Sequence, residues 1–168
     1  SDGLRAADVE KAFAGAAIAR TWLMRGTIHA VVAEDLRPML AVFGPVNLRN
    51  GQRRREQLGL TDEVCVGAMA ALPAILGGGK ALTRATIVKE LAAHGIVLDP
   101  RSQQPPHLLA FAANSALICR GPDGKRDEPT YVLLDEWLGP GTPPDRDDAL
   151  RLLAQRFFAA YSPAGVID

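Results

Sequence analysis

The sequence predicts a mainly α-helical fold with small β-hairpins (α+β), and three observations carry that prediction. Apolar residues recur at helical spacing in several stretches, opened by capping residues or proline and closed by glycine or proline. Two other stretches are rich in β-branched and aromatic residues and alternate with a period of two. Between 61 and 134 the order reads helix, helix, helix, strand, turn, strand, which is that of a winged helix-turn-helix unit. The whole chain then reads as a tandem of such units.

Residues 6–17 form a short helix, with Val9, Phe13 and Ala17 four apart. Ile18 to Val32 reads as strand, with Trp22, Met24, Ile28, Ala30 and Val32 on one side. Gly26 there marks either a tight turn or a bulge. Ala33-Glu34-Asp35 opens a helix to about Phe43, its acidic pair suiting the positive end of the helix dipole. A loop with an arginine-rich segment follows from Gly44 to Gly59. Thr61 caps the next helix, which Gly77-Gly78-Gly79 ends. Thr83 starts another, with Ile87 and Leu91 inward and Gly95 at its C-terminal cap. Pro105-Pro106 suits a first turn, so a helix runs from Pro106 to about Ala116. Leu117–Arg120 and Thr130–Leu134 make a β-hairpin around a Gly/Pro/Asp turn. After a Gly139–Pro144 linker, Asp145 and Asp148 signal a last helix, to about Tyr161, with Leu153 and Phe157 on one face and Pro163 as its stop.

Three segments result: 1–60, part of a first winged-helix unit with a connecting helix and the arginine-rich stretch; 61–138, a second unit; and 139–168, a linker and the first helix of a truncated third. At 168 residues, 48% hydrophobic and 23% charged, the chain suits one medium domain or two small ones and not disorder. No apolar run approaches the roughly 18 residues that span a bilayer, so no membrane association is expected. No secretory signal opens the chain, and the distant Cys65 and Cys119 suit a reducing compartment, so the expected location is cytoplasmic, and nucleoid-associated when DNA-bound. Three scattered histidines and two cysteines give no metal spacing; neither metal nor cofactor is expected. Net charge is zero, yet residues 1–60 carry +3, 61–122 carry +1 and 123–168 carry −4. A local positive surface is compatible with that total, because phosphate contact depends on the local field.

Arg20-Thr21-Trp22-Leu23-Met24-Arg25-Gly26-Thr27-Ile28-His29 followed by Ala33-Glu34-Asp35-Leu36, then Thr130 to Leu138, then Ala159-Ala160-Tyr161-Ser162-Pro163-Ala164, resemble one known family. It is the bacterial winged-helix DNA-binding family that includes the interstrand-crosslink-unhooking, azinomycin-resistance type DNA glycosylases. The resemblance implies binding of double-stranded DNA and, in the intact enzyme, hydrolysis of an N-glycosidic bond. It also implies a Gln-x-Gln or Gln-x-Asp motif that positions water, upstream of the segment matching Ala6 to Ala17, and a third winged helix. The chain departs on both counts: Gln103-Gln104 are adjacent, and Gln52 and Gln57 are five apart. The expectation is a central piece of a family member of roughly twice this length or more, not itself catalytic.

Each candidate DNA contact has a plainer alternative. Arg53, Arg54 and Arg55 would neutralise phosphates, or form a solvated face. His107 and Asn114, two helical turns apart with Ala110 between, would meet a groove, Asn being a reader of adenine edges, or form an ordinary polar helix face. Arg101, Gln103 and Gln104 add donors where that helix starts. Arg25 and His29 would grip phosphate or sugar; otherwise Arg25 pairs with Glu34 or Asp35 and His29 meets a backbone carbonyl. Lys125 and Arg126 would track a backbone, although Asp123, Asp127 and Glu128 surround them. Two other functions fit the same pattern. One is a winged-helix transcriptional regulator reading sequence through His107 and Asn114; the other is a protein-interaction module, which suits a neutral chain.

Overall fold

The structure, a computed structural model, describes residues 5–161. Strands β1 (Ile18–Trp22) and β2 (Ile28–Val32) form one hairpin, β4 (Ile118–Arg120) and β5 (Thr130–Leu133) another, and the short β3 (Leu82–Thr83) pairs with β5. Arg20 stands opposite Arg120 and joins the hairpins into one antiparallel sheet of order β2-β1-β4-β5-β3. The helices are α1 (Ala6–Ala14), α2 (Ala33–Gln57), α3 (Asp62–Leu76), α4 (Arg84–Ala93), α5 (Gln104–Asn114), α6 (Leu134–Leu138) and α7 (Arg146–Tyr161).

Alternation along the strands gives each sheet face its own core. Ile118 and Tyr131 face α3, α4 and α5, packing with Leu72, Leu76, Ile87, Leu91, Leu108 and Leu109. Cys119 and Val132 face the other way, with Ala19 and Leu23, against Leu36 and Leu40 of α2 and Leu134 of α6. The local signals that set these helices are satisfied: the Thr61 hydroxyl accepts from the Val64 amide, and the Thr83 hydroxyl from that of Thr86. Ile87 and Leu91 are buried, Gly95 has a φ of +82°, and Asp145 accepts from the Asp148 amide at 2.9 Å. Pro163 and the Ser162-Pro163-Ala164 part of the third resembling segment lie outside the described residues.

Two expectations are corrected. The apolar row Trp22, Met24, Ile28, Ala30, Val32 is covered only at Trp22, which packs against the core on the α3–α5 side: Met24 is 39% exposed and Ile28 and Val32 are each 45% exposed, while Ala19, Thr21 and Leu23 on the opposite face are fully buried. Period-two alternation defines two faces without saying which is covered, and small Ala19 and Thr21 let α2 press close. As the edge strand, β2 leaves its outer row uncovered. Gly26 belongs to a turn rather than a bulge: Arg25 and Gly26 both adopt positive φ, and the Gly26 amide donates to the Leu23 carbonyl at 3.1 Å.

The second correction concerns α2, which does not end at Phe43; it runs for 25 residues through Gly44 and Pro45 to Gln57, so the arginine-rich segment is helical. Proline within a helix costs about 3 kcal/mol by removing a hydrogen bond and crowding the preceding turn. Tertiary contacts offset this. At Gly44 the backbone of α5 crosses so closely that a Cβ would lie 2.4 Å from the Asn114 carbonyl oxygen. One turn on, Asn47 donates from Nδ2 to the Leu23 carbonyl at 2.6 Å and to Asn114 Oδ1 at 2.8 Å. On its N-terminal half α2 is tied to α7: Arg156 pairs with Glu34 at 2.9 Å and with Asp35 at 2.7 Å. Those carboxylates therefore do not pair with Arg25.

Candidate nucleic-acid interface

The β1–β2 turn, the C-terminal half of α2 and the outer face of α5 enclose a groove of about 610 Å³. Arg25 comes from the turn, where its backbone is left-handed (φ 57°), and lines the groove. Asn47, Asn50, Gly51 and Arg54, spaced three and four apart, present one stripe of α2 to the groove, with Arg55 beside it. From α5 come Pro106, His107, Ala110, Phe111 and Asn114. No Asp or Glu is among the described residues that line it, so three guanidiniums stand without a neutralising carboxylate.

The cations are held in different ways. Arg55 lies over the Phe111 ring, 4.9 Å from its centre, and donates from Nη2 to the Leu48 carbonyl at 2.9 Å. Gly51 makes room for it, since a Cβ there would stand 2.8 Å from Arg55 Nη1. Arg54 reaches Gln57 only at 3.5 Å, a weak bond. Arg25 has neither an ion pair nor a hydrogen bond from its side chain among the described residues. His107 is pulled below the usual imidazole range, first by burial and then by Arg54 and Arg55. Near neutral pH it is an uncharged donor and acceptor beside two cations.

The sequence-derived candidates thus divide. Arg25, Arg54, Arg55, His107 and Asn114 meet in the groove. Arg53 is exposed and does not line the groove, lying about 100° round the helix from Arg54 and about 200° from Arg55. Asn114 is 8% exposed, with its Oδ1 taken by Asn47 and its Nδ2 donating to the Ala110 carbonyl at 2.8 Å. His29 sits behind the turn, its Nε2 2.9 Å from Thr27 Oγ1 and 3.3 Å from the Met24 carbonyl, where it braces the loop that presents Arg25. Gln104 spends its amide inside the fold, donating to the Leu58 carbonyl at 2.7 Å and accepting from the Asp99 amide at 2.9 Å. Arg101 and Gln103 are exposed and do not line the groove.

Lys125 and Arg126 are far from this group for a topological reason. β1 and β4 run antiparallel, so the β1–β2 turn leaves one end of the sheet and the β4–β5 turn leaves the other. Asp123, at the base of that second turn, is paired with Arg20 at 2.9 Å. Sequence reading did not find Trp22, Asn47, Asn50 or Phe111 as site residues. The helical spacing of Asn47, Asn50 and Arg54 was a usable signal, hidden once the helix was ended at Phe43.

No trio of His, Cys, Asp or Glu able to hold a metal ion occurs among the described residues, and none of the described helices is alone long and apolar enough to cross a membrane. Both cysteines are free and buried, and burial pushes the Cys119 thiol up to about 12.

A protein-family model described as DNA glycosylase AlkZ-like matches residues 1–168. Among solved structures, the DNA glycosylase AlkZ of Streptomyces sahachiroi is similar, with a TM-score of 0.74 at 25% identity. That match covers 94% of this chain and 43% of the Streptomyces chain, so the sequence spans less than half the length of its solved relative. No curated protein matches it in sequence.

Proposed function

The chain belongs to the AlkZ-like DNA glycosylase family, and from that premise we propose that it is the double-stranded-DNA-binding, tandem winged-helix region of a glycosylase-like repair or self-resistance protein. One observation carries the reading: Arg25, Arg54 and Arg55 converge on a groove that no described carboxylate lines. Phosphate contacts position a duplex by charge, and planar guanidiniums suit phosphate oxygens. The order α3, β3, α4, α5, β4, β5 supports a winged-helix unit over 61–138, between partial units over 1–60 and 139–168. The Gln-x-Gln or Gln-x-Asp triplet of the family is not in these residues, so their part is to hold DNA rather than to place the attacking water. The matching location is the cytoplasm, on the nucleoid. A sequence-reading regulator is less well supported, because both ends of the Asn114 amide are engaged inside the fold.

The test is a salt titration of binding to a duplex of random sequence. Three phosphate contacts predict that affinity falls about 40-fold between 50 and 200 mM salt. Salt-independent binding, or none at low salt, would refute the proposal.

A further inference from the structure

At the other end of the sheet lies a second cationic site. Arg20 and Arg120 stand directly opposite each other on one face, an arrangement that like charges disfavour. Nε of each is shut from solvent and donates to nothing among the described residues. Arg20 has compensation, from Asp123 at 2.9 Å and the Gly121 carbonyl at 3.2 Å. Arg120 has no hydrogen bond or ion pair of that kind among the described residues; ring faces hold its guanidinium, 4.6 Å from the centre of Tyr131 and 5.3 Å from that of Trp22. Burial, chiefly, lowers its pKa; Arg20 and Arg84 act in the same direction, while Tyr131 and Asp123 oppose them.

A pocket of about 180 Å³ opens beside it, walled by Arg84 and Ala85 of α4, by Tyr131, and by Glu128 and Pro129. Arg84 has no ion pair among the described residues, and Glu128 pairs with neither arginine, so two guanidiniums face one carboxylate there. We propose that this pocket binds a phosphate-class anion, with Arg84 and Arg120 as its donors. The anion supplies the acceptors that Arg120 lacks and relieves its repulsion with Arg20. Guanidinium recognises tetrahedral oxyanions through paired N–H donors, and rings behind it fix the plane in which those donors lie. The stack of Trp22, Arg120 and Tyr131 separates this pocket from the groove, so the two sites are distinct. A free phosphate and a phosphodiester passing the sheet end offer the same chemistry.

Inorganic phosphate binding to the 168-residue chain, followed by calorimetry and by thermal unfolding against chloride at matched ionic strength, tests this directly. Arg84 is exposed, so Arg84→Ala leaves the fold intact and weakens phosphate affinity about tenfold or more. Equal phosphate affinity in the two proteins, or stabilisation matched by chloride, overturns the proposal. A salt titration with duplex DNA then separates the sources: a slope lowered by about one in Arg84→Ala assigns the pocket to a phosphodiester, and an unchanged slope to free phosphate. A chain that binds phosphate but no DNA would overturn the function proposed above and leave this site standing.

Discussion

The crossing of α2 and α5 can be tested with one methyl group. Gly44→Ala places a Cβ 2.4 Å from the Asn114 carbonyl oxygen, about 1 Å closer than ordinary contact. That oxygen belongs to backbone, so relief requires moving the end of α5. Alanine gains about 0.5–1 kcal/mol over glycine within a helix. Overpacking costs about 1–3 kcal/mol, and a weakened Asn47–Asn114 bond costs about 1 kcal/mol more. The net is a loss of about 1–3 kcal/mol, which lowers Tm by roughly 2–12 °C for a domain of this size. Gly51→Ala is the control, seven residues after Gly44 on the same helix. Its new Cβ meets only the tip of Arg55, at 2.8 Å from Nη1, and a flexible side chain can swing clear. Helix propensity then dominates, and Tm holds or rises by about 1–2 °C. Calorimetric melts of both variants decide the matter. A Gly44→Ala protein as stable as the parent would refute the crossing described above.

Other perturbations separate groove residues from their neighbours. Arg54→Ala and Arg55→Ala each lower the salt slope of duplex binding by about one, whereas Arg53→Ala leaves it unchanged; equal effects at all three positions would show that the cluster acts as a diffuse charge. Trp22 is half-buried and stacked on Tyr131 at 6.3 Å, so Trp22→Ala destabilises by about 2–3 kcal/mol, below the range for a fully buried Trp, and a chemical-denaturation curve that superimposes on wild type would remove it from the core. His107 has a lowered pKa when folded, so the unfolded chain binds the extra proton. Stability is therefore full above the unfolded value of about 6.5 and falls as pH drops from there toward the folded pKa; His107→Gln abolishes that part of the pH dependence, and an identical profile in the variant would contradict the assignment. Because protonated His107 adds charge to the groove, duplex affinity rises as pH falls toward its lowered folded pKa. Both cysteines are buried, so a thiol reagent modifies neither in the folded chain and both after denaturation; fast labelling of native protein would contradict their placement.

Helix starts were legible wherever the signal is local. Thr61, Thr83 and the Pro105-Pro106 pair each act through atoms within three residues of themselves, and the structure keeps all three. What sequence reading lost depends on partners distant in the chain. Gly44-Pro45 carries the local chemistry of a helix end, and only α5, some 70 residues later, explains why α2 continues. The same lost turn concealed Asn47 and Asn50. Arg54 and Arg55 were visible as charge, yet their separation from Arg53 needed the helical phase. For Lys125 and Arg126, charge and turn chemistry were plain, but their distance from the groove follows from strand order. Asn114 was legible as a polar residue on the expected face, while its engagement by Asn47 was not.

The 25 residues of α2 make a rod about 37 Å long, and both sides of the groove are fastened to it: the β1–β2 turn through Asn47, and α5 through Asn47 and Gln104. A gap whose two walls share one beam does not widen by hinge motion. If the groove holds a duplex as proposed, that duplex must bend to the protein's spacing, and the elastic cost falls on the nucleic acid, which makes pliant base-pair steps the favoured guests.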